Sequence, residues 1–73
     1  MSNFKKYVCL KGTIGNDSKS GASFYFYTDE DKDLWVPYSV CRKRTISPNQ
    51  LQDTVEVEAW WAEIREVEGE PCP

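Results

Sequence analysis

Histidine is absent from this 73-residue chain, and residues that build catalytic or cofactor sites are scarce. The chain therefore lacks the side chain that most often acts as a general base near neutral pH. Its four glycines are scattered and form no phosphate-binding loop, and no serine lies in a nucleophile-elbow motif. We predict a protein that is not an enzyme, has no catalytic residues and binds no cofactor.

Cysteine is also rare, with one thiol each at Cys9, Cys41 and Cys72. This odd number and wide spacing fit neither a disulfide framework nor a Cys-x-x-Cys metal knuckle. Acidic residues 29–33 begin like a calcium-binding loop, but Leu34 stands where that loop needs glycine. We expect no metal site and a reducing, cytoplasmic location.

Long hydrophobic runs are missing as well, so we expect no contact with a membrane, and residues 1–10 lack the apolar segment of a secretory signal. Aromatic residues, in contrast, make up 14% of the chain. Burial of their rings offsets the loss of conformational entropy, which indicates a folded protein. A chain of this length forms one small domain, residues 1–73.

Charge is divided unevenly along the chain, whose formal net charge is −3. Residues 1–50 contain eight basic and five acidic side chains, whereas residues 51–73 contain seven acidic side chains and Arg65 alone as a base. Such an acidic segment attracts a basic partner or competes with nucleic acid for a basic groove. The simpler alternative is that it keeps the protein soluble.

Alternation of apolar and polar residues predicts four strands, at residues 5–14, 23–28, 34–40 and 54–58. The intervening residues 41–53 are expected to form a connection with a single helical turn after Ser47. Residues 68–73 contain glycine and two prolines, which predicts a frayed tail.

The segment 59–67 favours a helix, because Trp60, Ile64 and Val67 recur at helical spacing. A longer final strand is the alternative. The predicted fold is therefore α+β and β-rich: an antiparallel four-stranded sheet, or a small open barrel, with one short C-terminal helix.

One face of the predicted sheet interleaves aromatic and basic side chains, as do sheets that stack bases and hold phosphates. A nucleic-acid site on this face would use Lys5, Tyr7, Lys11, Tyr25, Tyr27, Trp35, Arg42 and Arg44. The competing interpretation is a second core face, covered by a second subunit or by the helix through Trp60, Trp61 and Ile64. The acidic balance of the chain favours this second interpretation.

Two segments together carry a family resemblance. Residues 34–40 read Leu-Trp-Val-Pro-Tyr-Ser-Val, and residues 55–63 read Val-Glu-Val-Glu-Ala-Trp-Trp-Ala-Glu. A strand ending in Trp-hydrophobic-Pro-x-Ser, followed by an acidic strand and a Trp-containing helix, resembles short uncharacterised proteins of bacteriophages and prophages. Tyr38 stands where those proteins usually have a basic residue. The resemblance implies a phage or mobile-element origin and a small β-rich module used in nucleic-acid handling or inhibition of host defence.

We expect the protein to act by binding. The favoured hypothesis is a small non-catalytic phage-type protein that modulates or inhibits a host protein or nucleoprotein complex, in defence or nucleic-acid processing. Its predicted partner-binding residues are Trp35, Trp60, Glu63, Glu66 and Glu68. The first alternative is a module that binds single-stranded nucleic acid on the aromatic face. The second is a sponge for a nucleotide or small ligand, whose pocket requires a homo-oligomer.

Overall fold

The computed structural model describes residues 6–49 and 52–72. Within them it contains six strands, a 3₁₀ turn and one short helix: β1 (Tyr7–Asp17), β2 (Ser23–Thr28), β3 (Asp33–Pro37), the turn Tyr38–Val40, β4 (Cys41–Thr45), β5 (Asp53–Glu58), α1 (Ala59–Ile64) and β6 (Glu70–Pro71). The predicted β-rich class, antiparallel sheet and single short helix are confirmed, with six strands in place of four.

The strands form a single antiparallel sheet in the order β3-β2-β1-β5-β4, and β6 pairs with β1. One half of β1 pairs with β5 and the other half with β2, with a register shift between Ile14 and Asp17. β3 and β4 lie at the two edges and do not pair with each other within the described residues. The sheet is therefore open.

Two segments around Pro37 differ from the prediction. The predicted strand 34–40 ends at Pro37, because proline has no N–H to donate to a ladder, and a 3₁₀ turn follows. Residues 41–45, predicted to be part of a connection, form edge strand β4, in which Arg42, Lys43, Arg44 and Thr45 are all exposed. The register shift between Cys41 and Lys43 interrupts the alternation by which a strand is recognised, and charged side chains are typical of an edge.

The C-terminal segment is more ordered than the sequence predicts. Of the expected frayed tail 68–73, the structure describes residues 68–72. Glu70 and Pro71 form β6 opposite Cys9 and Val8. The N–H of Cys72 also donates to the Tyr7 carbonyl over 2.9 Å.

The core lies on one face of the sheet. Side chains from β1, β2, β3 and β5 alternate into it, and α1 with the residues after it packs against them; the core residues are Leu10, Phe24, Phe26, Leu34, Val36, Val40, Val55, Val57, Trp61, Ala62 and Val67. Each large apolar side chain that is fully buried contributes about 1.5–3 kcal/mol of transfer free energy. The opposite face of the sheet, here called the outer face, points away from this core.

α1 begins without a side-chain cap, as its sequence predicts, and the Ala59 N–H donates instead to the Lys6 carbonyl over 2.8 Å. The helix ends earlier than the predicted residue 67. Glu66 adopts a left-handed conformation, with φ of 58°, and the Val67 N–H donates back to the Ala62 carbonyl. This is a Schellman cap, whose apolar contact between Ala62 and Val67 extends the core.

Gly12 leaves no room for a side chain between β1 and β2. A Cβ atom there would lie 2.0 Å from the backbone oxygen of Tyr27. We expect Gly12→Ala to lower the free energy of unfolding by about 3 kcal/mol, because the two central strands must separate to fit a methyl group. Urea denaturation measures this. Thr13→Ala, at an exposed neighbouring position, is the control, and equal stability of the two variants would contradict the prediction.

Candidate functional site

The outer face of the sheet carries most of the aromatic residues that the sequence assigns to nucleic-acid binding. Tyr25 pairs with Trp35 across β2 and β3, and Tyr27 pairs with Thr13 across β2 and β1. Directly paired residues of antiparallel strands point to the same face, so these rings share one surface. Trp35 is 54% exposed and Tyr27 is 42% exposed.

Tyr25 and Trp35 form a defined ring pair. Their centroids lie 5.5 Å apart with an edge-to-face angle of 61°. The Tyr25 ring also lies over Gly15, where an added Cβ would be 2.9 Å from the Tyr25 Cδ2 atom. The Tyr25 ring is therefore fixed between a glycine backbone and Trp35, and Trp35 presents its exposed surface at the edge of the sheet.

Two of the cations that the prediction assigns to the outer face, Lys11 and Arg42, are paired with carboxylates. Lys11 Nζ lies 3.3 Å from Glu70 Oε1. The Arg42 Nε donates to Glu56 Oε1 over 2.7 Å, and the Arg42 guanidinium stacks 4.1 Å from the centroid of the Tyr7 ring. A phosphate would have to compete with these carboxylates, which weakens the attraction of the face for nucleic acid.

Arg44 does not join the aromatic face. Arg44 pairs with the buried residue Val55, and its guanidinium lies 5.0 Å from the ring centroids of both Phe24 and Tyr38, at the margin of the core. Lys5 lies outside the described residues. Of the predicted nucleic-acid residues, the structure thus gathers six on one face: Tyr7, Lys11, Tyr25, Tyr27, Trp35 and Arg42.

The exposed side of α1 forms a second surface. Trp60 and Ile64, one helical turn apart, are 52% and 65% exposed. The Trp60 indole N–H donates to Glu58 Oε1 over 3.0 Å, which restricts the orientation of the ring. We call Trp60, Glu63 and Ile64 the helix surface, because all three side chains are exposed while Trp61 and Ala62 enter the core.

Two more carboxylates follow the helix surface along the chain. Glu66 and Glu68 are both exposed, and the Glu66 carbonyl accepts a hydrogen bond from Lys32 Nζ over 2.5 Å. This bond holds the segment after α1 against the turn between β2 and β3. Four of the five predicted partner-binding residues thus lie along residues 60–68, whereas Trp35 lies on the outer face.

The predicted helix face is only partly confirmed, and burial of this face through Ile64, one form of the competing interpretation, is wrong. Helical spacing predicts that Trp60, Ile64 and Val67 share one face. The structure leaves Trp60 and Ile64 exposed together, whereas Val67 lies beyond the end of α1 and is buried. In the structure Trp61 and Ala62 are buried and Ile64 is exposed. Spacing shows which residues share a helix face, whereas the direction of that face depends on how the helix leaves β5.

An open cavity of about 350 Å³ lies between β1, the turn after β2 and residues 67–70. Its volume is near the lower end of the range for ligand pockets, about 300–1,000 Å³. Four carboxylates line it, from Asp29, Glu30, Glu68 and Glu70, against the single ammonium group of Lys11. This charge opposes the phosphates of a nucleotide and gives no support to a nucleotide sponge.

The cysteines of the described segments are free, and burial raises the pKa of the Cys9 and Cys41 thiols. A raised pKa leaves less thiolate, the nucleophilic form. Across residues 6–49 and 52–72, no group of three or more histidine, cysteine, aspartate or glutamate side chains is placed to hold a metal ion. No helix in the same ranges is long and apolar enough to cross a membrane.

The hydrogen bond of the hydroxyl of Tyr38, whose ring lies beside Arg44, can be tested by titration. Its hydroxyl donates to Asp17 Oδ1, and this hydrogen bond raises the pKa of Tyr38. We expect Asp17→Ala to lower that pKa, measured by NMR titration of the tyrosine ring carbons. Because the folded state holds the phenolic proton more tightly, the bond stabilises the fold below the ordinary tyrosine pKa. This contribution is lost as the pH rises through the raised value.

Tyr27 is the internal control for this titration. Its hydroxyl donates to Asp31 Oδ1 over 2.9 Å, which raises the pKa of Tyr27 independently of Asp17. Asp17→Ala should therefore leave the Tyr27 titration in place. An unchanged pKa of Tyr38 in that variant would contradict the hydrogen bond.

Comparison with protein-family models, with curated proteins and with solved structures found no match. The resemblance to short phage proteins therefore stays a prediction from the residues that carry it.

Proposed function

We propose that this protein is a small binding protein that acts without turnover, by attaching its helix surface to a macromolecular partner. The observation that carries the proposal is Trp60, which is half exposed beside Ile64 and is held by a hydrogen bond to Glu58. Tryptophan is among the residues that most often dominate binding energy at protein interfaces. A ring already restricted in orientation loses less entropy when a partner covers it.

The charge around the helix surface indicates the chemistry of the partner. Glu63, Glu66 and Glu68 are exposed along the same segment, with Arg65 as the single base among residues 51–73. Carboxylates at the rim of an apolar contact increase the association rate with a basic surface and reject acidic ones. The partner we propose therefore has an apolar pocket for Trp60 surrounded by lysine or arginine side chains.

Basic surfaces of this kind are typical of proteins that bind nucleic acid. An acidic protein that covers such a surface excludes the phosphate backbone from it. This mechanism fits the proposed role of a phage-type modulator that occupies a defence or nucleic-acid-processing complex of its host.

Single-stranded nucleic-acid binding is the second candidate, and the Tyr25–Trp35 ring pair is the observation that favours it. Exposed aromatic rings on a sheet offer stacking surfaces for bases. The pairing of Lys11 with Glu70 and of Arg42 with Glu56 weighs against it, because these two cations, predicted to bind phosphates on that face, already have carboxylate partners. The helix surface is therefore the better supported site.

Affinity capture from a lysate of the native host, with and without nuclease, tests the proposal. We expect Trp60→Ala to reduce capture of the partner about 30-fold, the effect of losing roughly 2 kcal/mol at an interface hot spot. The double variant Glu63→Lys, Glu68→Lys should reduce it as well, because it reverses the charge at the rim.

Trp35→Ala is the matched control, since it removes a half-exposed tryptophan from the outer face. It should retain capture, and nuclease should not release the partner. Full capture by Trp60→Ala would contradict the helix surface. Loss of capture on nuclease treatment, together with loss in Trp35→Ala, would favour the nucleic-acid alternative.

A further inference from the structure

β3 is an edge strand whose free hydrogen-bonding groups follow from its register with β2. The Tyr38 N–H donates to the Ala22 carbonyl and the Thr28 N–H donates to the Lys32 carbonyl. Hydrogen-bonded pairs alternate along an antiparallel ladder, so Leu34 and Val36 direct their backbone groups towards β2. The backbone groups of Asp33, Trp35 and Pro37 therefore point away from the sheet.

The outward groups of β3 are self-complementary about Trp35. They comprise the N–H groups of Asp33 and Trp35 and the carbonyls of Asp33, Trp35 and Pro37, since proline has no N–H. No strand of the described segments pairs with this edge. An unpaired edge of this kind is a template for another strand.

We propose that a second copy of this chain pairs with β3 through its own β3, antiparallel and with the two-fold axis at Trp35. In this arrangement the Trp35 N–H of each copy donates to the Trp35 carbonyl of the other. The Asp33 N–H of each copy donates to the Pro37 carbonyl of the other. Every outward N–H of the strand then has an acceptor. Pro37 has no N–H, so its position adds no donor that would need a partner.

Charge selects this register over its nearest competitor. An axis at Leu34 would also form four hydrogen bonds, but it would make the two Asp33 residues diagonal neighbours, about 7–8 Å apart. With the axis at Trp35, each Asp33 lies opposite Pro37 of the other copy. The acidic turn at residues 29–33 then lies beside the far end of the other β3, where Arg44 stacks over Tyr38.

Charge also excludes β4 as the edge strand through which two copies pair. β4 contains three consecutive bases, Arg42, Lys43 and Arg44, all exposed. Two copies joined through this strand would bring like charges together, which is a common device against edge pairing. β3 carries no cation within Asp33–Pro37. The two edges of the sheet are thus chemically distinct, and β3 is the one that accepts a second copy.

Pairing through β3 would also join the aromatic residues of two outer faces. Tyr25 and Trp35 of one copy would be followed directly by Trp35 and Tyr25 of the other, because paired residues point to the same face. The helix surface belongs to α1, which packs against β5 and β1, whereas this contact uses β3. The proposed dimer therefore goes beyond the proposed function and does not depend on it.

A contact between two five-residue strands is smaller than a standard protein interface of about 1,200–2,000 Å². We therefore expect a weak dimer whose population rises with concentration. Sedimentation equilibrium of the full chain under reducing conditions should show a mass that increases from 8.5 kDa towards twice that value. A mass that stays at the monomer value, or that rises past the dimer, would overturn the proposal.

Two charge variants locate the contact. Trp35→Lys should keep the protein monomeric, because it places two ammonium groups directly opposite each other across the axis. Thr13→Lys adds the same charge to the same face, but in central strand β1, and should dimerise like the original protein. Dimerisation of Trp35→Lys, or loss of the dimer in Thr13→Lys, would place the contact elsewhere. Circular dichroism checks that both variants are folded.

Disulfide cross-linking tests the register itself. The variant would carry Trp35→Cys in a chain whose Cys9, Cys41 and Cys72 are replaced by serine. Opposed residues in a hydrogen-bonded pair have Cα atoms about 5.5 Å apart, within the range that a disulfide spans. Oxidation should therefore cross-link this variant. Lys43→Cys in the same background, on β4, should stay monomeric, and the opposite pattern would overturn the proposal.

Discussion

β1 hydrogen-bonds to three other strands, and its pairing determines where both candidate surfaces lie. One half pairs with β5, which leads directly into α1, and the other half pairs with β2, which carries the Tyr25 ring to Trp35. Gly12 lies where these two ladders meet, opposite both Thr28 and Asp53. The absence of a side chain there lets the backbones approach closely enough for one strand to serve both neighbours.

The sequence predicts the strands best where side-chain alternation is complete. β2 has the predicted bounds, because Phe24 and Phe26 alternate with Tyr25 and Tyr27 over its whole length. β4 has no such alternation: its residues are mostly charged, and a register shift breaks the pattern near its start. The sequence also gives no signal for the end of α1, since Glu66 occupies the left-handed position where glycine is the usual signal.

The sequence predicted which residues of a candidate site share a face, but not the ion pairs that those residues form. Alternation indicated that Tyr25, Tyr27 and Trp35 share a face, because that depends on residues close in sequence. It gave no indication that two cations of the face have carboxylate partners, since Lys11 meets Glu70 and Arg42 meets Glu56 only through tertiary pairing. The charge that this small sheet presents to a partner therefore depends on contacts between residues that are far apart in the sequence.

The basic residues of β4 have a consequence for aggregation. In a dimer joined through β3, both outer strands of the extended sheet are β4, so each end of the assembly carries Arg42, Lys43 and Arg44. Further growth would require two cationic strands to meet. Such a dimer would therefore be closed at two copies, because repulsion of like charges at both ends would oppose growth into a continuous cross-β fibril.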